Sequence, residues 1–212
     1  MSLKNIIIAV VLGSALAGGI FVATLVGKPP LPKSAFVIPL LNELPEFTLQ
    51  DQSGELVNAD TFRGQWDLVF FGFTNCPDVC PTTLQLLASV KKQLLESELK
   101  ELPRIVLLSV DPERDTPDLL ATYVDYFGSG NLGVTGDLSE IKKLTSALGI
   151  YFEKVPNSPL DSGSSDNSGN YNVNHSAAVL LINPDAQFSA LFSAPHKIEN
   201  YLHDLPLIMV EN

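Results

Sequence analysis

Asp67-Leu-Val-Phe-Phe-Gly-Phe-Thr-Asn-Cys76-Pro-Asp-Val-Cys80-Pro81 decides how this chain is read. Asp67 to Phe73 is apolar almost throughout, as parallel strands covered on both faces are. It leads into two cysteines four positions apart, the only two among 212 residues. From Thr82 to Leu99, apolar residues recur at Leu84, Leu87, Val90, Leu94 and Leu95, the spacing of an amphipathic helix. A strand-to-helix turn therefore delivers two thiols. Such a pair can form a disulfide, exchange with one, or hold a soft metal.

The same alternation continues on either side. Pro45-Glu-Phe47-Thr-Leu49 alternates, turns at Gln52-Ser-Gly54 and resumes at Leu56-Val57, which predicts a β-hairpin. Arg104 to Val110 reads as a second buried strand. Thr116 is placed to cap a helix that begins at Pro117 and runs to about Phe127. A further helix spans Leu138 to Leu148, between Asp137 and Gly149. Ser176 to Ile182 and Gln187 to Phe192 are expected as strands joined across Asn183-Pro-Asp-Ala186. A last helix is expected from Pro195 to about Leu205. Strands alternating with helices indicate an α/β domain with a mostly parallel sheet and an antiparallel hairpin at its end. The two-thiol turn then lies at the carboxyl end of a strand, where such folds place ligands. Asn157 to Asn170, made almost entirely of Ser, Gly, Asn and Asp, is expected to be a flexible loop.

Ahead of the domain, Ile6 to Val26 is free of charge and flanked by Lys4 and Lys28. As a helix, that stretch is about 30 Å long, enough to cross the hydrocarbon core. Ala15-Leu-Ala17 looks like a cleavage site, but the apolar run continues well beyond it, so an uncleaved anchor is expected. No cysteine lies here to carry a lipid. Gly27-Lys-Pro-Pro-Leu-Pro-Lys33 reads as a stiff stalk. The expected organisation is an anchor at 1–27, a stalk at 28–40 and one domain at 41–212. The short head favours an inside amino terminus, and no Arg-rich, Ser-rich presequence precedes it. The expectation is a single-pass protein of a bacterial inner membrane, with its domain in the periplasm. Formal charge is −11, and beyond residue 33 ten basic residues face 24 acidic ones, a net of −14. A nucleic-acid partner is excluded on that balance.

Position near a helix amino end favours thiolate at the cysteines. Asp78 between them works against it, and no Lys or Arg lies between Phe71 and Lys91. Three readings stand side by side: a structural disulfide, a redox dithiol and a metal site. A bridge across four residues closes too small a loop to stabilise much. The usual redox signature has two intervening residues rather than three. Two thiolates suit copper(I), which accepts soft ligands and low coordination. Three histidines could add a ligand: His175 between the polar loop and a strand, His196 at a helix start, and His203 late in that helix. His175 is the best placed. Zinc in a structural site needs a fourth protein ligand, and haem attachment needs Cys-x-x-Cys-His, which is absent.

Cys76-Pro-Asp-Val-Cys80-Pro81 after Phe71-Gly-Phe-Thr74, then Ser109-Val-Asp-Pro-Glu-Arg-Asp-Thr-Pro117, then Val173-Asn-His175-Ser176, resembles the Sco/SenC family in order and interval. The resemblance runs from about Leu44 to Leu205. It implies a thioredoxin-like α/β fold with an N-terminal β-hairpin and a mixed central sheet flanked by helices, preceded by one transmembrane helix. It implies copper, as Cu(I), Cu(II) or both, held by Cys76, Cys80 and His175. The implied role is a metallochaperone rather than an enzyme. Its partner would be the copper-bearing subunit of cytochrome c oxidase, whose binuclear centre it helps assemble, with an upstream copper donor protein. The alternative is a thiol–disulfide oxidoreductase acting through Cys76 and Cys80. The Asp111 to Pro117 motif also occurs in peroxiredoxin-like relatives, and Asp111 and Asp115 are candidates for a direct role or for a capped helix start. Many family members carry Asp before the histidine, where this chain has Asn174. That removes a charge beside the proposed ligand and bears on its surroundings and on docking. The loop before Tyr171 is long for the family, a length that lets His175 swing toward and away from the sulfurs.

Overall fold

A computed structural model describes residues 2–5, 7–8, 12–15, 18, 30–96, 99, 101–156 and 171–210. Met1–Leu31 and Pro32–Asn212 are two separate compact units. In the first, residues 3–5, 7–8, 12–15 and 18 are helical. No helix among the described residues is long and apolar enough to cross a membrane. The expected span Ile6–Val26 lies for the most part outside the described residues, as does the expected loop Asn157–Asn170.

The second unit is built on an eight-stranded sheet. In chain order its elements are β1 (Ala35–Glu43), β2 (Leu49–Asp51), β3 (Leu56–Val57), a 3-10 turn (Ala59–Phe62), β4 (Asp67–Gly72), α1 (Val79–Leu94), β5 (Arg104–Ser109), α2 (Pro117–Tyr126), β6 (Leu132–Thr135), α3 (Leu138–Ala147), β7 (Phe152–Pro156), β8 (Tyr171–His175), β9 (Val179–Ile182), β10 (Gln187–Phe192) and α4 (Ile198–Val210). The sheet order is β1-β10-β9-β4-β5-β6-β2-β3, and β7-β8 form a second, two-stranded sheet.

Parallel pairing is confined to the centre, β4 with β5 and β5 with β6. Every other pair described in the sheet is antiparallel, so the sheet is mixed, as the family resemblance implies, and not mostly parallel, as the alternation of elements suggests. The reason is that each end of the central layer is extended by an antiparallel strand. The β9–β10 hairpin lays β9 against β4, and β2 returns against β6.

β4 is buried along its whole length, as its unbroken apolar run requires. Asp67 opens it and pairs with Arg104 at 2.6 Å, directly across from it in register with β5. On one face, Phe70, Gly72 and Leu107 meet Cys80 of α1. On the other, Val69, Phe71 and Leu108 converge with Leu144 and Leu148 of the α3 region. Thr116 caps α2 as expected, its hydroxyl accepting from the Leu119 amide. α2 lies close over β6, where a side chain at Gly133 would meet Leu120 and Val124 at 3.1 and 3.2 Å.

Three strands escaped the sequence reading. β6 is four residues long with a glycine inside it, and β7 and β8 are largely polar on one side. β1 also corrects the expected stalk, because residues 35–40 are strand. Their extended form comes from pairing with β10, and Pro39 sits where the register shifts, so its missing N–H costs no ladder bond. The carboxylate of Asp204 on α4 accepts from the amides of Lys33, Ser34 and Ala35, each at 2.8 Å, and secures the lead into β1.

Candidate metal centre

The two-thiol turn forms where the sequence places it, after β4. Cys76 lies in the loop, half-buried, while Cys80 is fully buried in the first turn of α1. α1 starts at Val79, three residues earlier than the apolar spacing suggests. Pro81 does not prevent this, because the first helical amides have no partner within the helix to lose. The helix ends at Leu94 rather than Leu99. Gly72 makes the close approach possible, since a Cβ there would lie 2.9 Å from the Cys80 sulfur and 2.8 Å from the Phe70 ring.

Both cysteines are free thiols. The Cys80 amide donates to the Cys76 sulfur at 3.5 Å. Donation from the Cys80 thiol outweighs burial and, with the His175 ring and the Asp78 and Cys80 amides, pulls the Cys76 pKa well below the usual thiol range. Cys80, the donor of that bond and deeply buried, is pushed up. Of the two, Cys76, the sulfur nearer to solvent, is the one that gives up its proton more readily.

His175 ends β8 and arrives from 95 positions further along the chain, its Nε2 3.5 Å from the Cys80 sulfur. Its Nδ1 lies 3.0 Å from the Ser176 carbonyl. That carbonyl can only accept, so Nδ1 donates to it and Nε2 is the ring nitrogen that faces the sulfurs. The edges of Phe70 and Phe73 bracket the ring, with centroids 5.8 and 5.7 Å away. The donor atoms of Cys76, Cys80 and His175 all lie within 4.8 Å of one another. Bonds of about 2.0–2.3 Å to thiolate and imidazole put three donors of one ion about 4 Å apart, so a small closure of the side chains suffices. Two sulfurs and an imidazole nitrogen fit a soft, low-coordinate ion.

The remaining histidines are committed elsewhere. His196 donates to the Ala177 carbonyl at 2.6 Å and accepts from the Tyr201 hydroxyl at 2.8 Å; burial lowers its pKa. His203 pairs with Asp204 at 2.7 Å. Asp115 and Asp111 are not among the clustered donors. Asp115 is buried, which raises its pKa, and it accepts from the Thr74 amide and hydroxyl and from the Ser109 hydroxyl, fixing the loop ahead of Cys76. Asp111 is fully buried and receives Arg114 and the Tyr171 hydroxyl. Sequence reasoning missed Gly72, Arg114 and Tyr171. A glycine closing an apolar strand was a usable sign of close approach. Arg114 lies inside the Ser109 to Pro117 motif but was given no role there, and nothing local marked Tyr171.

Mixed sheet, thiol turn at the end of its central strand, helix behind the thiols: these define a thioredoxin-like protein, here with an imidazole added from a separate hairpin. A model of the SCO1/SenC family matches residues 41–209. A Stutzerimonas stutzeri protein described as copper-binding is 35% identical over 176 residues, 83% of this chain and 81% of its own. The crystal structure of Arabidopsis thaliana ScoI with copper bound superposes with a TM-score of 0.71 at 28% identity, over 81% of this chain and 100% of that one. Bradyrhizobium japonicum ScoI with copper bound gives 0.62 at 31% identity, over 79% and 99%. This chain belongs to the SCO1/SenC family.

Proposed function

We propose that this chain is a membrane-anchored copper metallochaperone that helps assemble the binuclear copper centre of cytochrome c oxidase. The observation that carries the reading is the convergence of the Cys76 and Cys80 sulfurs and the His175 Nε2 within 4.8 Å. Copper bound in two family relatives supports it. The assembly role rests on what membership of the Sco/SenC family implies. The anchor is the charge-free run Ile6 to Val26, with the domain on the periplasmic side of a bacterial inner membrane. The partners are then the copper-bearing oxidase subunit and an upstream copper donor protein.

The chain's own groups divide the work. Cys76, half-exposed and with its thiol pKa pulled down, meets copper(I) first. Cys80 loses its proton as the ion binds, because only the thiolate is a strong ligand. His175 completes three-fold ligation through Nε2, its ring held in place by the Nδ1 hydrogen bond to the Ser176 carbonyl. Release proceeds by exchange, an acceptor thiolate replacing one donor at a time. The test is titration of the full-length protein with copper(I) under reducing conditions. Wild type is expected to bind stoichiometrically and Cys76→Ser, Cys80→Ser to lose binding; equal binding by both would overturn the proposal.

One observation favours a second reading. The asymmetry of the thiols, one near solvent with its pKa pulled down and one buried with its pKa pushed up, is also what an exchanging dithiol needs. A thiol–disulfide oxidoreductase would not need His175. His175→Ala separates the two. Loss of copper affinity with unchanged disulfide reduction marks the chaperone, whereas retained copper binding with reduction lost only in cysteine variants marks the oxidoreductase.

A further inference from the structure

The strand that carries the imidazole belongs to the separate two-stranded sheet and is not paired with the main one. The ring stands at one end of β8, whose described ladder runs only to β7, from Phe152↔His175 to Pro156↔Tyr171. Tyr171 lies at the far end of the same strand, about 13 Å from His175 at about 3.3 Å per residue. Around Tyr171 the hairpin meets the loop between β5 and α2. The Arg114 guanidinium lies over the Tyr171 ring at 4.0 Å, bonds Asp111 through Nε, and donates through Nη1 to the Tyr171 carbonyl at 3.1 Å. The Tyr171 hydroxyl donates to Asp111 as well. Lys154 of β7 pairs with Glu113 at 2.7 Å and lies 3.9 Å from Asp111.

We propose that Arg114, seated on buried Asp111, is a positioning residue for the metal centre, fastening the β7–β8 hairpin to the β5–α2 loop and so holding His175 over the thiols. The inference rests on reading Cys76, Cys80 and His175 as the metal ligands. Arginine suits the place because a planar fork can stack and donate along one edge at the same time, which lysine cannot do. Its Nη2 is buried without a hydrogen-bond partner among the described residues, and stacking and the bonds along its other edge hold the group. Asp111 is fully buried and its charge needs these partners; removing the guanidinium leaves it poorly compensated. The clasp also reaches the ligand by a shorter route. Arg114 lies 5.7 Å from the Phe73 ring, whose edge contact with His175 is also 5.7 Å.

The test uses full-length Arg114→Lys and Tyr171→Phe proteins. In the metal-free state, amides of β7 and β8 are expected to exchange hydrogen about tenfold faster in Arg114→Lys and about threefold faster in Tyr171→Phe, with β4 and β5 unchanged. With copper(II) bound, the imidazole nitrogen coupling in the electron paramagnetic resonance spectrum is expected to weaken in Arg114→Lys while sulfur ligation remains. Adding Arg114→Lys to His175→Ala is expected to lower copper affinity no further. Wild-type hairpin exchange together with wild-type nitrogen coupling would overturn the proposal. So would exchange that rises equally in β4, β5 and the hairpin, since Arg114 would then serve stability in general. A different result, copper affinity unmoved by His175→Ala, overturns the metal-site reading itself, and the exchange data alone then decide whether Arg114 holds the hairpin.

Discussion

Gly72 closes β4, and one added methyl group there has nowhere to go. It would meet the Phe70 ring at 2.8 Å and the Cys80 sulfur at 2.9 Å, both fully buried. Gly72→Ala is expected to cost about 1–3 kcal/mol through overpacking. It should also displace the Cys80 sulfur and weaken copper binding. Urea unfolding and copper titration check the two effects, and a neutral outcome in both would show that α1 can slide back freely. At this scale the sequence exposed the chemistry but not its supports. Cys76 and Cys80 announce themselves by being the only cysteines, and His175 by its place ahead of an apolar strand. Asp111 and Asp115 were visible as polar residues in a motif. Their task, holding loop and hairpin rather than ligating, depends on Thr74, Ser109 and Tyr171, which are distant in the chain or unremarkable in it.

At the scale of elements, the join between β1 and α4 makes a sharper prediction than any helix interior. Asp204 is pushed up by burial but pulled down further by the Lys33 amide, His203 and the Ala35 and Ser34 amides, leaving its pKa well below the ordinary carboxylate value. A depressed carboxylate contributes stability above its unfolded pKa and loses it as pH falls toward the folded one. Asp204→Asn is therefore expected to cost about 1.5–3 kcal/mol at pH 7, the usual worth of hydrogen bonds to a charged group. The gap to wild type should begin to close as pH drops below about 4, where Asp204 of the unfolded chain takes up a proton while the folded carboxylate still does not. Urea midpoints measured from pH 7 to pH 3 check it; a gap that widens on acidification would refute the assignment. Elements with strong internal periodicity or caps, such as α2 behind Thr116 and α3 behind Asp137, were legible from residues alone. β1, β6, β7 and β8 were not, because each becomes a strand by pairing with a partner rather than by its own pattern.

For the molecule as a whole, a ligand that binds only the folded chain must stabilise all of it. Copper at 100 times its dissociation constant adds about 2.7 kcal/mol, and for a domain of this size each kcal/mol moves the melting temperature about 2–4 °C. A rise of about 5–10 °C is expected for wild type, a smaller one for His175→Ala and none for Cys76→Ser, Cys80→Ser. Calorimetry checks the order of the three, and an equal rise in all would place the copper elsewhere. The residues by themselves determined the two sulfur donors, the buried strand that presents them and the helix behind them, because those features are local in the chain and written in spacing and hydrophobicity. Spacing and hydrophobicity left to the tertiary structure how an imidazole 95 positions away reaches those sulfurs, how far antiparallel strands flank the central parallel ones, and that Arg114 grips the strand carrying the ring. Each of these is a contact between segments that carry no mark of one another, and such contacts are set by which surfaces the fold buries together.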